Sequence, residues 1–187
     1  MEKIKDLALL LIDMQSPFMY QVEKDTLDII LSNQKELISI CRQKRIPVIL
    51  IEYYAYGETC KDLRDHAKGC ITKTFEKKQD SAFSSREFTS YLKLGGIKNI
   101  LISGLFGNAC VYATSLSATK NGYTVITAED LIAMNSHLYQ EQKASGSSQI
   151  ICWYKWNTKF LNSFKELARF ELKPSKIFHI AGLLRIF

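Results

Sequence analysis

Residues 102–118 read ISGLFGNACVYATSLSA, and the reading of this stretch decides the fold. The run from Ile97 to Ser103 predicts a strand that breaks at Gly104. A small-residue helix then begins near Cys110 and runs to about Asn121, where Gly122 is a natural stop. A strand feeding a helix across a short glycine turn is one β–α unit, and the chain repeats it on both sides.

Upstream, Leu7 to Ile12 is a continuous apolar run, as expected of a strand covered on both faces, with Asp13 at its carboxyl end. From Asp25 to Arg45 the apolar residues Leu27, Ile30, Leu31, Leu37, Ile38 and Cys41 form a helical stripe, with Asp25 or Thr26 available as cap. A second strand is expected over Ile46 to Ile51, with Pro47 tolerated at its start, and a short one over Cys70 to Thr74. Ser84 or Ser85 caps a helix through Phe88, Tyr91 and Leu92 that Gly95 and Gly96 close. Tyr123 to Thr127 is a further strand ending near Asp130; beyond it, Gln149 to Trp153 reads as a strand and Asn157 to Ala168 as a helix.

Strands alternating with helices predict an α/β fold with a central, mostly parallel sheet and helices on both faces, a Rossmann-like three-layer arrangement. At 187 residues, 47% hydrophobic and 24% charged, the chain is long enough for one well-buried domain and short for two, so a single domain over 1–187 is expected. Charge is uneven along it. The last 33 residues hold seven basic side chains against Glu166 and Glu171, which accounts for five of the six net positive charges. The nearly neutral body argues against a nucleic-acid-binding core. Residues 155–187 form a basic and apolar C-terminal segment. It is expected to pack on its own domain or across a homodimer interface, with contact to an anionic membrane surface as the alternative.

Five cysteines, Cys41, Cys60, Cys70, Cys110 and Cys152, form no CxxC pair and no metal-finger spacing. An odd set of free thiols fits a reducing compartment, so a cytoplasmic protein is expected. The apolar run near the N-terminus, Leu7 to Ile12, is too short for a signal-peptide core or a membrane span.

In an open parallel sheet, ligands bind outside the carboxyl ends of the strands. Asp13 and the loop from Gly104 to Cys110 belong to that edge. Cys110 falls in the first turn of its helix with Asn108 the expected cap, a placement whose N–H groups and dipole favour a thiolate. An ordinary thiol with a pKa near 8.5 is only a few per cent ionised at neutral pH, so a nucleophile there needs a base or a nearby cation. Asp13 can take the proton, and a lysine from FEKKQDSAF, residues 75–83, can supply the cation. Each residue also has a plain structural reading. Cys110 can be a small buried residue, Asp13 a turn residue, and Lys77 and Lys78 solvated surface. His66, His137 and His179 are scattered and give a Cys–His dyad no positive support.

The order LLLIDMQ, KKQDSAF, SGLFGNACVYATSLSA, NGYTVITAED resembles the isochorismatase-like cysteine hydrolase family over roughly residues 7–130. Its most specific part is Cys110, Val111, Thr114 and Ala118 followed by Gly122, Tyr123, Val125 and Asp130. The resemblance implies a catalytic triad of Asp13 (general base, later acid), Lys77 (charge stabilisation) and Cys110 (nucleophile). It also implies a cis peptide between Leu105 and Phe106 and an oxyanion hole from the N–H groups of Phe106 and Cys110. Gly107 stands where many members carry threonine, which removes one loop-supporting hydroxyl. Nicotinamidases of the family carry an Asp and His metal motif after the second strand, whereas this chain reads IEYYAYGETCKDLRDH there, so neither a bound metal nor nicotinamide as substrate is the first expectation, and no cofactor is expected. Phe18, Tyr53 and Tyr54, with Glu52 and Tyr56 beside them, are candidates to line or cover a pocket. The function so implied is metal-independent hydrolysis of an amide or related C–N bond of a small molecule by a homo-oligomeric enzyme. The alternatives are a catalytically silent binding or membrane-associated protein and an isochorismatase-type C–O hydrolase.

Overall fold

The computed structural model describes residues 1–135 and 148–175. Its strands are β1 (Glu2–Ile12), β2 (Val48–Tyr53), β3 (Ile71–Lys77), β4 (Asn99–Leu105), β5 (Thr124–Ala128), β6 (Ile132–Ala133), β7 (Lys159–Leu161) and β8 (Phe170–Pro174). They form one sheet in the order β3-β2-β1-β4-β5-β7, with β6 on β4 and β8 on β1, and every pair is parallel. The helices are α1 (Ser16–Met19), α2 (Lys24–Lys44), α3 (Lys61–His66), α4 (Arg86–Leu94), α5 (Cys110–Lys120) and α6 (Ser148–Asn157). Among the described residues no helix is long and apolar enough to cross a membrane.

The unbroken apolar run of β1 is explained by the two half-cores on either side of it. Leu7, Leu9 and Leu11 pack on one face with Ile30, Leu37, Ile38 and Cys41 of α2. Ala8, Leu10 and Ile12 pack on the other with Phe88 and Leu92 of α4 and Val111 and Ala118 of α5. All six β1 residues have no exposed surface. A strand buried on both faces has no polar side to alternate with, so its sequence is continuous rather than period-two.

Two expected elements are corrected. The segment 149–153 is helical, within α6, rather than a strand: a five-residue apolar run does not distinguish the two by periodicity. What the helix secures is a place for Tyr154, which is fully buried in the second half-core, and for Trp153 against Tyr112. The expected helix over 157–168 is instead β7 followed by a 3₁₀ turn at Phe164–Arg169. Phe160 packs into one half-core while Leu161, Phe164 and Leu167 pack into the other. One stripe of a helix cannot face both sides of a sheet, whereas adjacent residues of a strand do. Strands β2, β4 and β5 also lie one or two residues later than expected, and β3 extends to Lys77 rather than stopping at Thr74.

The basic C-terminal segment is part of the sheet as far as it is described. β8 pairs with β1, and Lys159, Arg169 and Lys173 are in ion pairs with Glu2, Glu166 and Glu171. The tail at 177–187 lies outside the described residues.

Candidate active site

Three loops meet at the carboxyl edge because of register. Ile12 of β1 stands beside Ile51 of β2 and Gly104 of β4, and Tyr53 of β2 stands beside Lys77 of β3. The strand order reverses between β1 and β4, which makes the gap between their ends a switch point and a natural crevice. Gly104 is required there: with φ +133°, a β-carbon would lie 2.1 Å from the Ile12 carbonyl oxygen.

Asp13 follows β1 in the left-handed region, φ 53°, held by its N–H donating to Ile51 O at 2.9 Å. Lys77, the last residue of β3, reaches across the end of β2. Its Nζ is 2.8 Å from Asp13 Oδ2, with side-chain exposures of 0% and 2%. The same ammonium lies 4.1 Å over the Tyr53 ring and donates to Gln79 O at 3.2 Å. Burial raises the Asp13 pKa above the ordinary carboxylate value, and the Lys77 charge opposes that rise. Beyond the ion pair, neither carboxylate oxygen has a hydrogen-bond partner among the described residues, so both retain accepting capacity.

Cys110 opens α5 and is 7% exposed. The expected cap is corrected. Ala109 occupies that position, and the Asn108 side chain pairs with the Asn135 backbone instead, accepting from its N–H at 3.0 Å and donating to its carbonyl at 3.3 Å. Burial and, second, the Asp13 charge push the thiol up to about 12, with the Lys77 charge opposing. Alkylation of Cys110 by iodoacetamide is therefore expected to rise about tenfold per pH unit from 7 to 10, because the thiolate fraction does so below the pKa. A plateau near pH 7 in peptide mass spectrometry contradicts this.

The loop before Cys110 is fixed peptide by peptide. The Leu105–Phe106 peptide is cis. Gly107 N donates to Ala133 O at 2.8 Å, and Phe106 O accepts from Ala109 N and Val111 N, both at 3.0 Å. Tyr154 Oη, from a distant helix, donates to Gly107 O at 2.8 Å. A β-carbon on Gly107 would lie 2.8 Å from Met134 Sδ, so Met134 fills the space a side chain would take. Tyr154→Phe is expected to reduce stability by about 1–3 kcal/mol, since it strands a buried carbonyl; urea unfolding measures it. The N–H groups of Phe106 and Cys110 donate to no protein group among the described residues.

Phe18, Tyr53, Tyr56 and Phe106 form an aromatic cluster beside the ion pair, Phe18 lying 6.1, 4.8 and 6.2 Å from the other three in turn. Tyr54 is not part of it. Its ring is exposed and meets the Lys78 ammonium at 4.7 Å. Glu52 is turned inward and accepts from Thr59 N at 2.7 Å. His66 sits on α3 against Ser39 of α2, while His137 and His179 lie outside the described residues. A cavity of about 710 Å³ beside Met134 and Tyr154 is lined by none of Asp13, Lys77 and Cys110.

Asp80 is not among the residues that the sequence singles out. Cys110 Sγ donates to Asp80 Oδ1 at 3.8 Å. Ser81 Oγ donates to Ser117 Oγ at 2.8 Å and Ala82 N to Thr114 Oγ1 at 3.0 Å, tying the loop to α5. The signal was the short spacing of Asp80 and Ser81 after Lys77, together with hydroxyls one helical turn apart at Thr114 and Ser117.

Residues 7–149 match the family described as the isochorismatase domain. The chain belongs to that family. Isochorismatase family protein 1A of Dictyostelium discoideum is 31% identical over 134 residues, 69% of this chain and 64% of that protein, so the chain spans under two thirds of this relative's length. Nicotinamidase 3 of Arabidopsis thaliana is 26% identical over 156 residues, 71% of this chain and 76% of that one. The solved structure of an isochorismatase-like hydrolase from Alkaliphilus metalliredigens has the same fold, with a TM-score of 0.70 at 21% identity over 89% of this chain and 99% of that one. Membership of the isochorismatase-domain family supports hydrolase chemistry in general.

Proposed function

We propose that the chain is a cysteine hydrolase that cleaves an amide or related C–N bond of a small molecule through a covalent intermediate on Cys110. The observation that carries this is the buried Asp13–Lys77 pair, 2.8 Å apart, at the sheet edge where the buried Cys110 opens α5. Amide hydrolysis by the named nicotinamidase relative supports the bond class.

The resting thiol is protonated, so attack requires proton transfer. Asp13 accepts the thiol proton while Sγ bonds to the amide carbon, and Lys77 compensates the charge as it shifts between carboxylate and sulfur. The tetrahedral oxygen gains negative charge facing the unused N–H groups of Phe106 and Cys110. Collapse breaks the C–N bond as Asp13 returns its proton to the leaving nitrogen. Water, deprotonated by Asp13, then attacks the thioester, releasing a carboxylic acid and restoring the thiol. No step is routed through a metal.

The reading is tested by incubating the protein with a panel of small primary amides, measuring ammonia and intact mass after rapid acid quench. Ammonia release with an acyl adduct mapped to Cys110 is expected. Ammonia release with an adduct elsewhere, or none under single-turnover conditions, contradicts the covalent route.

A further inference from the structure

Resting on that reading, we infer that Asp80 makes this site selective for amides carrying a cationic group, an ammonium or guanidinium, close to the scissile carbonyl. Asp80 is exposed, yet its Oδ1 is 3.8 Å from the sulfur of a thiol that is itself buried, so it stands on the solvent side of the proposed nucleophile.

Lys77 is committed to Asp13 at 2.8 Å, and the Lys78 ammonium lies over the Tyr54 ring at 4.7 Å. Among the described residues no cation lies within ion-pair distance of Asp80. Asp13, Lys77 and Asp80 together carry one formal negative charge, on a body that is otherwise nearly neutral because five of the six net positive charges lie in the last 33 residues. A negative focus there draws cations while repelling anions.

Position is fixed as well as charge. The bonds from Ser81 to Ser117 and from Ala82 to Thr114 anchor the peptide after Asp80 to the helix that bears Cys110, and Lys77 Nζ holds the Gln79 carbonyl before it.

Two methanethiosulfonates of similar size, the 2-aminoethyl cation and the 2-sulfonatoethyl anion, probe this without a known substrate. Second-order rates of Cys110 modification are read by peptide mass spectrometry for the wild type and Asp80→Asn, at low and high salt. The wild type is expected to favour the cation, and the cation-to-anion ratio to fall about tenfold in Asp80→Asn and to shrink with salt in the wild type. An unchanged ratio overturns the inference, as does an equal rise in both rates, which means that Asp80 acts only through its hydrogen bond to sulfur. If the ratio shifts but no amide, cationic or neutral, is turned over, the hydrolase reading fails while the charge selectivity of the site stands.

Discussion

Cys110→Ala is expected to fold like the wild type and to lose amide turnover by about 10⁴-fold or more, because removing a nucleophile removes the whole covalent route rather than one contribution to it. The variant tolerates the change structurally. Cys110 is the first residue of α5, where its backbone supplies a helix start and the loop is held by Gly107, Asn108 and Phe106 rather than by sulfur. Stability and turnover are therefore separable, and circular dichroism with thermal unfolding shows the fold before activity is compared. Turnover retained in the folded variant excludes covalent catalysis at Cys110. Retention confined to a C–O substrate identifies the isochorismatase-type alternative, which does not require the thiol.

The α/β class was legible because β1, β2 and β4 are buried on both faces, and burial on both faces writes itself into sequence as an uninterrupted apolar run. The region after Asp130 was not legible in the same way. Phe160, Leu161, Phe164 and Leu167 have helical spacing by coincidence, and only the placement of the two half-cores shows that neighbours in this segment serve opposite faces. At the site, Asp13 was readable as a residue at a strand end and Cys110 as one at a helix start. The ion pair was not, since it depends on β3 extending to Lys77 and on a side chain crossing the end of β2. The helix start that favours a thiolate is visible in the sequence, whereas the burial and the carboxylate neighbour that push the Cys110 thiol up are not visible in the order of residues. Tyr154, which supports Gly107 from a helix 47 positions away, has no local signature at all.

The second large effect is expected at the Asp13–Lys77 pair. Lys77→Met leaves a carboxylate that is 2% exposed without its cation, a defect worth about 3–5 kcal/mol at pH 7 and a fall in Tm on the order of 10 °C for a chain of this size. The deficit has a definite pH dependence. Asp13 is already raised above the ordinary carboxylate value, and losing Lys77 raises it further, so the folded state binds this proton more tightly than the unfolded chain does. A raised pKa contributes stability that is intact below the unfolded value, about 3.9, and is lost as pH rises through the folded one. Lys77→Met is therefore expected to approach wild-type stability near pH 4 and to fall away toward pH 7. Adding Asp13→Asn removes the buried charge, and the double variant should regain much of the lost Tm at pH 7 while remaining inactive on amides. Lys77→Met and the double variant unfolding at the same temperature at pH 7 would show that the lysine does not neutralise Asp13 in the interior, and the proton relay proposed for Cys110 would lose its electrostatic basis.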